Sequence, residues 1–449
     1  MRIKQRPEDF DVSESYRFDP DPRGHYRVYL MDKQKLSTLD AIERLRDKFK
    51  LKRDAFSICG LKDKQGRTKQ LIAVENADIQ MQAPDLRLKF LGRTAEPLSA
   101  QNITSNRFSV TVRDLTQEDL DELPGSVAEV NRVGVVNYFD SQRFGHLKHG
   151  QGLIARELIR GRFERALQGH FATPSELDHT EDGKVKKFWS EHWGQWTARP
   201  PWKDAAQRYR PIVQHLEENP TDFAGAFMKI DARMRTMILY TYQSFLWNEG
   251  VRRLLMGLIP REMLVAIPYQ AGTVLFPRDM PPEVQRRVRK MTFPLLGPDT
   301  EIRDPDVKAA VDWVLGREHL AIPELKIPGL PQIFFKHEER QLLIYPGKLV
   351  IGKPSDDEHN ENKTRVNVAF TLPPGAYATL VVKRLFWFDL EKGRKERLDA
   401  EREAKVRAVR EASIAERKAN PPPGFRAQQA EKKRLKKERQ QEAKRPKKR

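Results

Sequence analysis

The chain has a single cysteine, Cys59, in 449 residues. No intrachain disulfide can form and a four-cysteine zinc site is excluded, so a reducing, cytoplasmic setting is expected. Long hydrophobic runs are missing. No stretch approaches the roughly 20 apolar residues that a spanning helix needs, and the opening MRIKQRPEDF has no apolar segment of the kind a secretory signal carries. Hydrophobic residues make up only 39% of the chain, whereas charged residues reach 32%. There is no Walker-type phosphate loop, no Gly-x-Gly-x-x-Gly turn after a strand and no Gly-x-Ser-x-Gly elbow. His146 and His149 lie three apart, but no carboxylate pair stands beside them at ligand spacing, so no metal is expected. Nothing marks a cofactor site, and none is predicted.

What is present in excess is positive charge. Lys and Arg total 82 against 63 Asp and Glu, a net charge of +19, which points to a polyanionic partner and first of all to nucleic acid. The excess is uneven. Residues 391–449 hold 22 Lys/Arg and ten acids, so +12 of the net charge sits in that stretch and +7 in residues 1–390. The stretch has almost no large apolar residues and cannot bury a core. It reads as a basic tail, helical or disordered, broken at Pro421-Pro422-Pro423-Gly424.

Along residues 1–390, strands are predicted at 25–30, on either side of a polar turn within 57–74, at 107–112 and in the β-rich run 134–139. A helix is predicted from Thr38, as its cap, to Phe49, with Leu39, Ile42, Leu45 and Phe49 at helical spacing. A short acidic helix, Thr116 to Leu123, should stop at Pro124-Gly125. Ala232 to Leu255 reads as a long apolar helix. Val366–Leu372 and Tyr377–Leu385 read as two strands around Pro373-Pro374-Gly375. This mixture has no βαβ period, which favours an α+β fold with a mainly antiparallel sheet.

One segment carries chemistry: Cys59-Gly60-Leu61-Lys62-Asp63-Lys64-Gln65-Gly66-Arg67-Thr68-Lys69-Gln70. Alone it reads as a hairpin turn. It does not stand alone. Arg6-Pro7-Glu8-Asp9-Phe10-Asp11-Val12-Ser13-Glu14 precedes it. Asn106-Arg107-Phe108, Val136-Asn137-Tyr138-Phe139-Asp140-Ser141-Gln142-Arg143-Phe144-Gly145, Tyr242-Gln243-Ser244-Phe245-Leu246-Trp247-Asn248 and Phe370-Thr371-Leu372-Pro373-Pro374-Gly375-Ala376-Tyr377-Ala378-Thr379 follow. In kind, order and spacing these segments resemble the TruD family of tRNA pseudouridine synthases, over residues 1–385. Cys59 and Gly66 stand where the family has Ala, and Asp140 where it has Gly.

The resemblance implies a pseudouridine-synthase catalytic domain made of residues 1–162 and 338–390, with an inserted domain at 163–337 that holds the tryptophan-rich stretch 188–202. It implies isomerisation of uridine to pseudouridine in tRNA, at position 13 of the D arm. A cytoplasmic monomer is expected, and the basic tail, which is not part of the family pattern, suggests other RNAs as further partners through its charge. Asp63 is implied as the catalytic carboxylate, and Phe10, Asn137 and Phe370 as substrate contacts. Lys62, Phe139 and Arg143 are supporting candidates. Such a reaction needs no external donor, in keeping with the motifs the chain lacks. Asp63 would either attack C1′ as a nucleophile or remove a C2′ proton as a base; the sequence does not choose. Phe10 and Phe370 read equally as core aromatics, and Asn137 as a turn residue. The competing class is an RNA-binding or ribosome-associated protein that keeps the fold without catalysis, against which an intact Asp63 argues.

Overall fold

The computed structural model describes residues 1–62, 64–149, 152–175, 178, 180–393 and 434–435. Residues 1–390 form one unit and residues 391–449 another. Nearly all of the basic tail, and Asp63 itself, therefore lie outside the described residues. Among the described residues no helix is long and apolar enough to cross a membrane.

The first unit is organised by one sheet. Its early strands are β1 (Phe10–Tyr16), β2 (Tyr26–Gln34), β3 (Phe56–Ile58), β4 (Arg67–Glu75), β5 (Leu86–Thr94) and β6 (Ile103–Leu115). Five shorter strands, β7 (Val135–Val136), β8 (Leu264–Tyr269), β9 (Gly272–Pro277), β10 (Thr292–Leu295) and β11 (Glu338–Gln341), lie outside it, as does β12 (Leu343–Ile344). The chain then returns with β13 (Gly347–Ile351), β14 (Ser355–Asp356) and β15 (Thr364–Leu372). The order across the sheet is β13-β15-β6-β1-β4-β2-β5, with β14 on β15 and β3 on β4. All pairs are antiparallel except β1 with β4. The expected α+β class with a mainly antiparallel sheet is what the chain adopts.

Local sequence explains the elements and corrects three expectations. The helix Thr38–Phe49 forms where predicted, but Ser37 is its cap: the hydroxyl accepts the Asp40 N–H and the Asp40 carboxylate accepts the Ser37 N–H. Thr38 is free for another task and is buried. The helix that should have ended at Pro124 runs from Gln117 to Val133. Pro124 forfeits one backbone bond, but Leu123, Ser126, Val130 and Val133 are buried at helical spacing, and packing outweighs the local cost. Tyr377–Leu385 is not a strand. Ala378–Leu385 is a helix, buried through Ala378, Leu380, Val381, Val382 and Leu385. Its β-branched run imitates a strand, yet its apolar positions also fit a 3.6 period.

One buried ion cluster ties the sheet to the N-terminal motif. Arg113, on β6, is 2% exposed. It donates to Asp9 through Nε and Nη2 at 2.9–3.0 Å, to Asp357 at 2.9 Å and to Glu358 at 3.0 Å. Asp9 immediately precedes Phe10, so this cluster fixes where β1 begins.

Candidate active site

The loop that carries Asp63 is held at both of its described ends. On the entering side the Thr38 hydroxyl accepts the Lys62 N–H at 2.9 Å and donates to Gln70 Oε1 at 2.8 Å. Gln70 in turn donates to the Gly60 carbonyl at 3.1 Å. The Lys62 ammonium lies 2.6 Å from Glu14, whose side chain is fully buried. Glu14 also accepts the Leu71 N–H at 2.8 Å. The glutamate of the first motif thus anchors the lysine beside Asp63, and Lys62 spends its charge there. On the leaving side Gly66 packs on Phe10. A Cβ at this position would lie 2.4 Å from the Phe10 carbonyl oxygen and 3.3 Å from its ring. Glycine in place of the family's alanine therefore gives a close approach.

Phe10 and Phe370 are brought together through Phe108. The Phe10 and Phe108 rings meet edge-on at 6.2 Å, and Phe108 stacks on Phe370 at 5.6 Å. These residues are neighbours because β6 lies between β1 and β15, with Phe370 opposite Phe108. Both predicted contacts are buried, Phe10 at 6% exposure and Phe370 at 1%. Lys4 places its ammonium 4.3 Å from the centre of the Phe10 ring.

Asn137, Phe139 and Arg143 form a second group around a residue the sequence reading did not single out, Arg340. Its Nε donates to the Asn137 carbonyl at 2.8 Å, and its Nη2 to Asn137 Oδ1 at 2.7 Å and to the Gly375 carbonyl at 3.1 Å. Asn137 Nδ2 donates to the Gln341 carbonyl at 3.2 Å. The Arg340 guanidinium sits 4.2 Å from the Phe139 ring centre, with the Arg143 guanidinium 5.6 Å from the same ring. Arg143 Nε donates to the Tyr377 hydroxyl at 3.3 Å. Burial pushes the Arg340 pKa down to about 10; Tyr377 opposes that shift and Arg143 adds to it. Among the described residues no side-chain hydrogen bond or ring contact joins the Phe10–Phe370 group to Asn137.

Asp140 adds no free negative charge. It is 3% exposed and pairs with Lys383 at 2.6 Å, while accepting from the Thr379 hydroxyl and the Ser141 N–H. Burial alone would raise its pKa, but Lys383 and these hydrogen bonds outweigh burial and hold the carboxyl below its usual range.

Arg340 and Glu14 escaped the sequence reading for different reasons. Glu14 stands inside a quoted motif, and its buried strand position was the available signal. Arg340 belongs to no motif. It reaches Asn137 because β11 pairs with β10 and β12 with β7, which local pattern does not show.

Comparison with known proteins agrees with the geometry. Residues 1–385 match the family described as tRNA pseudouridine synthase D (TruD). A probable tRNA pseudouridine synthase D 2 of Methanocaldococcus jannaschii is 30% identical over 394 residues, covering 86% of this chain and 92% of that protein. A tRNA pseudouridine synthase D of Aquifex aeolicus is 28% identical over 403 residues, covering 87% and 99%. Among solved structures, a putative tRNA pseudouridine synthase D of Methanosarcina mazei shares the fold with a TM-score of 0.63 at 23% identity, covering 86% of this chain and 93% of that one. With a family match over residues 1–385, the chain belongs to the tRNA pseudouridine synthase D family of isomerases.

Proposed function

We propose that Asp63 is the catalytic carboxylate of this tRNA pseudouridine synthase and that its target is uridine 13 in the D arm. The activity itself, conversion of uridine to pseudouridine in tRNA, goes with membership of the family. In that reaction the N1–C1′ bond breaks, the freed uracil turns, a C5–C1′ bond forms, and the proton lost from C5 is balanced by one gained at N1. No atom enters or leaves, so the protein supplies a carboxylate at the sugar and a site for a base drawn out of its stack. In this reading Asn137 meets an edge of the uracil through its amide, and Phe10 and Phe370 wall the base.

The observation that carries the reading is the anchoring of residues 62 and 66, one on each side of Asp63, against Glu14 and Phe10 of the same N-terminal motif. A carboxylate doing chemistry needs a fixed position more than a flexible one. The division into a catalytic domain of 1–162 with 338–390 and an insert of 163–337 belongs to the same proposal. Its support is that every strand of the large sheet lies outside 163–337. A cytoplasmic monomer whose basic tail reaches other RNAs completes the reading.

The test is pseudouridine mapping on tRNA incubated with wild-type protein and with Asp63→Asn. The expected result is modification at position 13 by the wild type and none by the variant, with tRNA binding retained because it rests on many cationic contacts. Turnover by Asp63→Asn near the wild-type rate would overturn the assignment, and modification elsewhere would overturn the position.

A further inference from the structure

We infer that Asn106 reads the pairing edge of the target uracil, its amide taking the N3–H and one neighbouring carbonyl of the base. The inference rests on the reading of Asp63, Phe10 and Phe370 as the uridine site and gives that site a specificity residue.

Asn106 stands on β6, directly opposite Glu14 of β1 on one side and Leu372 of β15 on the other. Residues so paired in antiparallel strands project to one face, with Cβ atoms about 4.5–5.5 Å apart. Phe108, two positions along β6, shares that face. One neighbour on the face holds the catalytic loop: Glu14 lies 2.6 Å from the ammonium of Lys62, the residue before Asp63. The other neighbour, Phe108, joins the rings of Phe10 and Phe370. The loop approaches the start of β6 as well, since a Cβ on Gly60 would lie 3.9 Å from the Ile103 side chain.

In this setting the Asn106 amide has nothing to bond. Its Oδ1 is enclosed and accepts no hydrogen bond, and among the described residues its Nδ2 has no acceptor. Its neighbours cannot repair this. Glu14 is committed to Lys62 and to the Leu71 N–H, while Leu372 and Phe108 are apolar. A buried amide oxygen without a donor forfeits the hydrogen bonds it had in water, and a ligand that supplies them recovers that loss. Asn106 keeps 8% exposure, so its recess is not sealed.

Uracil offers the complement. Its N3–H lies between two carbonyls, so Oδ1 can accept the N3–H while Nδ2 donates to the carbonyl beside it. The same pair fits the product. When the freed ring turns about its N3–C6 axis, C5 takes the place of N1, O2 and O4 exchange, and the N3–H stays where it was. One amide can therefore hold the base before and after the turn and keep the detached ring in the site.

The test has two parts. Asn106→Leu keeps the shape and removes the unpaired polar atoms, so the thermal midpoint should hold or rise while turnover of tRNA falls about 10-fold or more. A lower midpoint with unchanged turnover would make Asn106 a structural residue and overturn the inference. The second part measures binding with the full-length chain carrying Asp63→Asn, on RNA with uridine or N3-methyluridine at the target first mapped with the wild type. This parent should bind the methylated RNA about 10-fold more weakly. Adding Asn106→Ala, which opens room for the methyl group, should erase most of that difference. An equal penalty in both proteins, or none in the parent, would place N3 away from Asn106 and overturn the inference; the binding cycle decides alone if Asn106→Leu does not fold. Turnover by Asp63→Asn would instead defeat the reading of the uridine site.

Discussion

Arg340 holds Asn137 by two atoms at once, the backbone carbonyl at 2.8 Å and the side-chain Oδ1 at 2.7 Å. The amide is thereby oriented. Its oxygen faces the guanidinium, and its Nδ2, bonded to the Gln341 carbonyl, has among the described residues no acceptor for its second proton. Asn137→Asp separates anchoring from recognition. The new carboxylate would pair with Arg340, so thermal stability should hold or rise, while the lost donor should lower turnover by at least about 10-fold. A variant with unchanged stability and full activity would show that Asn137 is only an anchor.

Gly66→Ala restores the residue the family has at this position and should nevertheless harm this chain. A methyl group 2.4 Å from the Phe10 carbonyl oxygen meets backbone rather than a flexible side chain. The expected cost is about 1–3 kcal/mol of stability, together with a fall in kcat larger than any change in tRNA affinity. Unchanged melting and unchanged kcat would mean that the loop does not lie on Phe10.

The Arg113 cluster predicts a signature in acid. Arg113 holds Glu358 down at about 2. Burial works against a low pKa at Asp357, but hydrogen bonds from Asn360, the Asp114 and His359 N–H groups and Arg113 outweigh it. Carboxyls depressed in the folded state stabilise fully at neutral pH, and that stabilisation fades as pH falls through the unfolded values toward the folded ones. Denaturant midpoints should therefore drop between about pH 5 and pH 2. Arg113→Met should lower stability at neutral pH by about 3–5 kcal/mol, because it strands buried carboxylates, and should flatten the acid slope. An equally steep slope in that variant would remove the cluster as its cause.

A chain ended after Leu390 should fold and still modify tRNA. It loses +12 of charge, so affinity should fall mostly at low salt, with a shallower dependence of log K on log salt. Loss of activity at saturating tRNA would place the tail inside the working fold.

Much of this was legible because the motifs are short, local and in order. The strands of the motifs alternate plainly, and the helix at Thr38–Phe49 carries its period on its surface. The reading failed where tertiary packing decides. The helix through Pro124 is rescued by burial of Ser126 and Val130, and the run 378–385 turns helical because it sends Lys383 to Asp140 and the fully buried Arg384 to Glu129. Arg340 lies 203 positions from Asn137, and no local pattern marks a contact at that distance.

The place of β15 between β6 and β13 also has a consequence for synthesis. β6 is complete at Leu115, but its partner begins at Thr364. At translation speeds of about 5–20 residues per second the wait is on the order of tens of seconds. During it a 13-residue strand offers an open edge to any passing chain. Nascent copies on one polysome are the nearest such chains, so shielding by the ribosome or a holdase matters most before β15 emerges. The same edge would let two separately made pieces, divided between β6 and β15, find each other and reassemble.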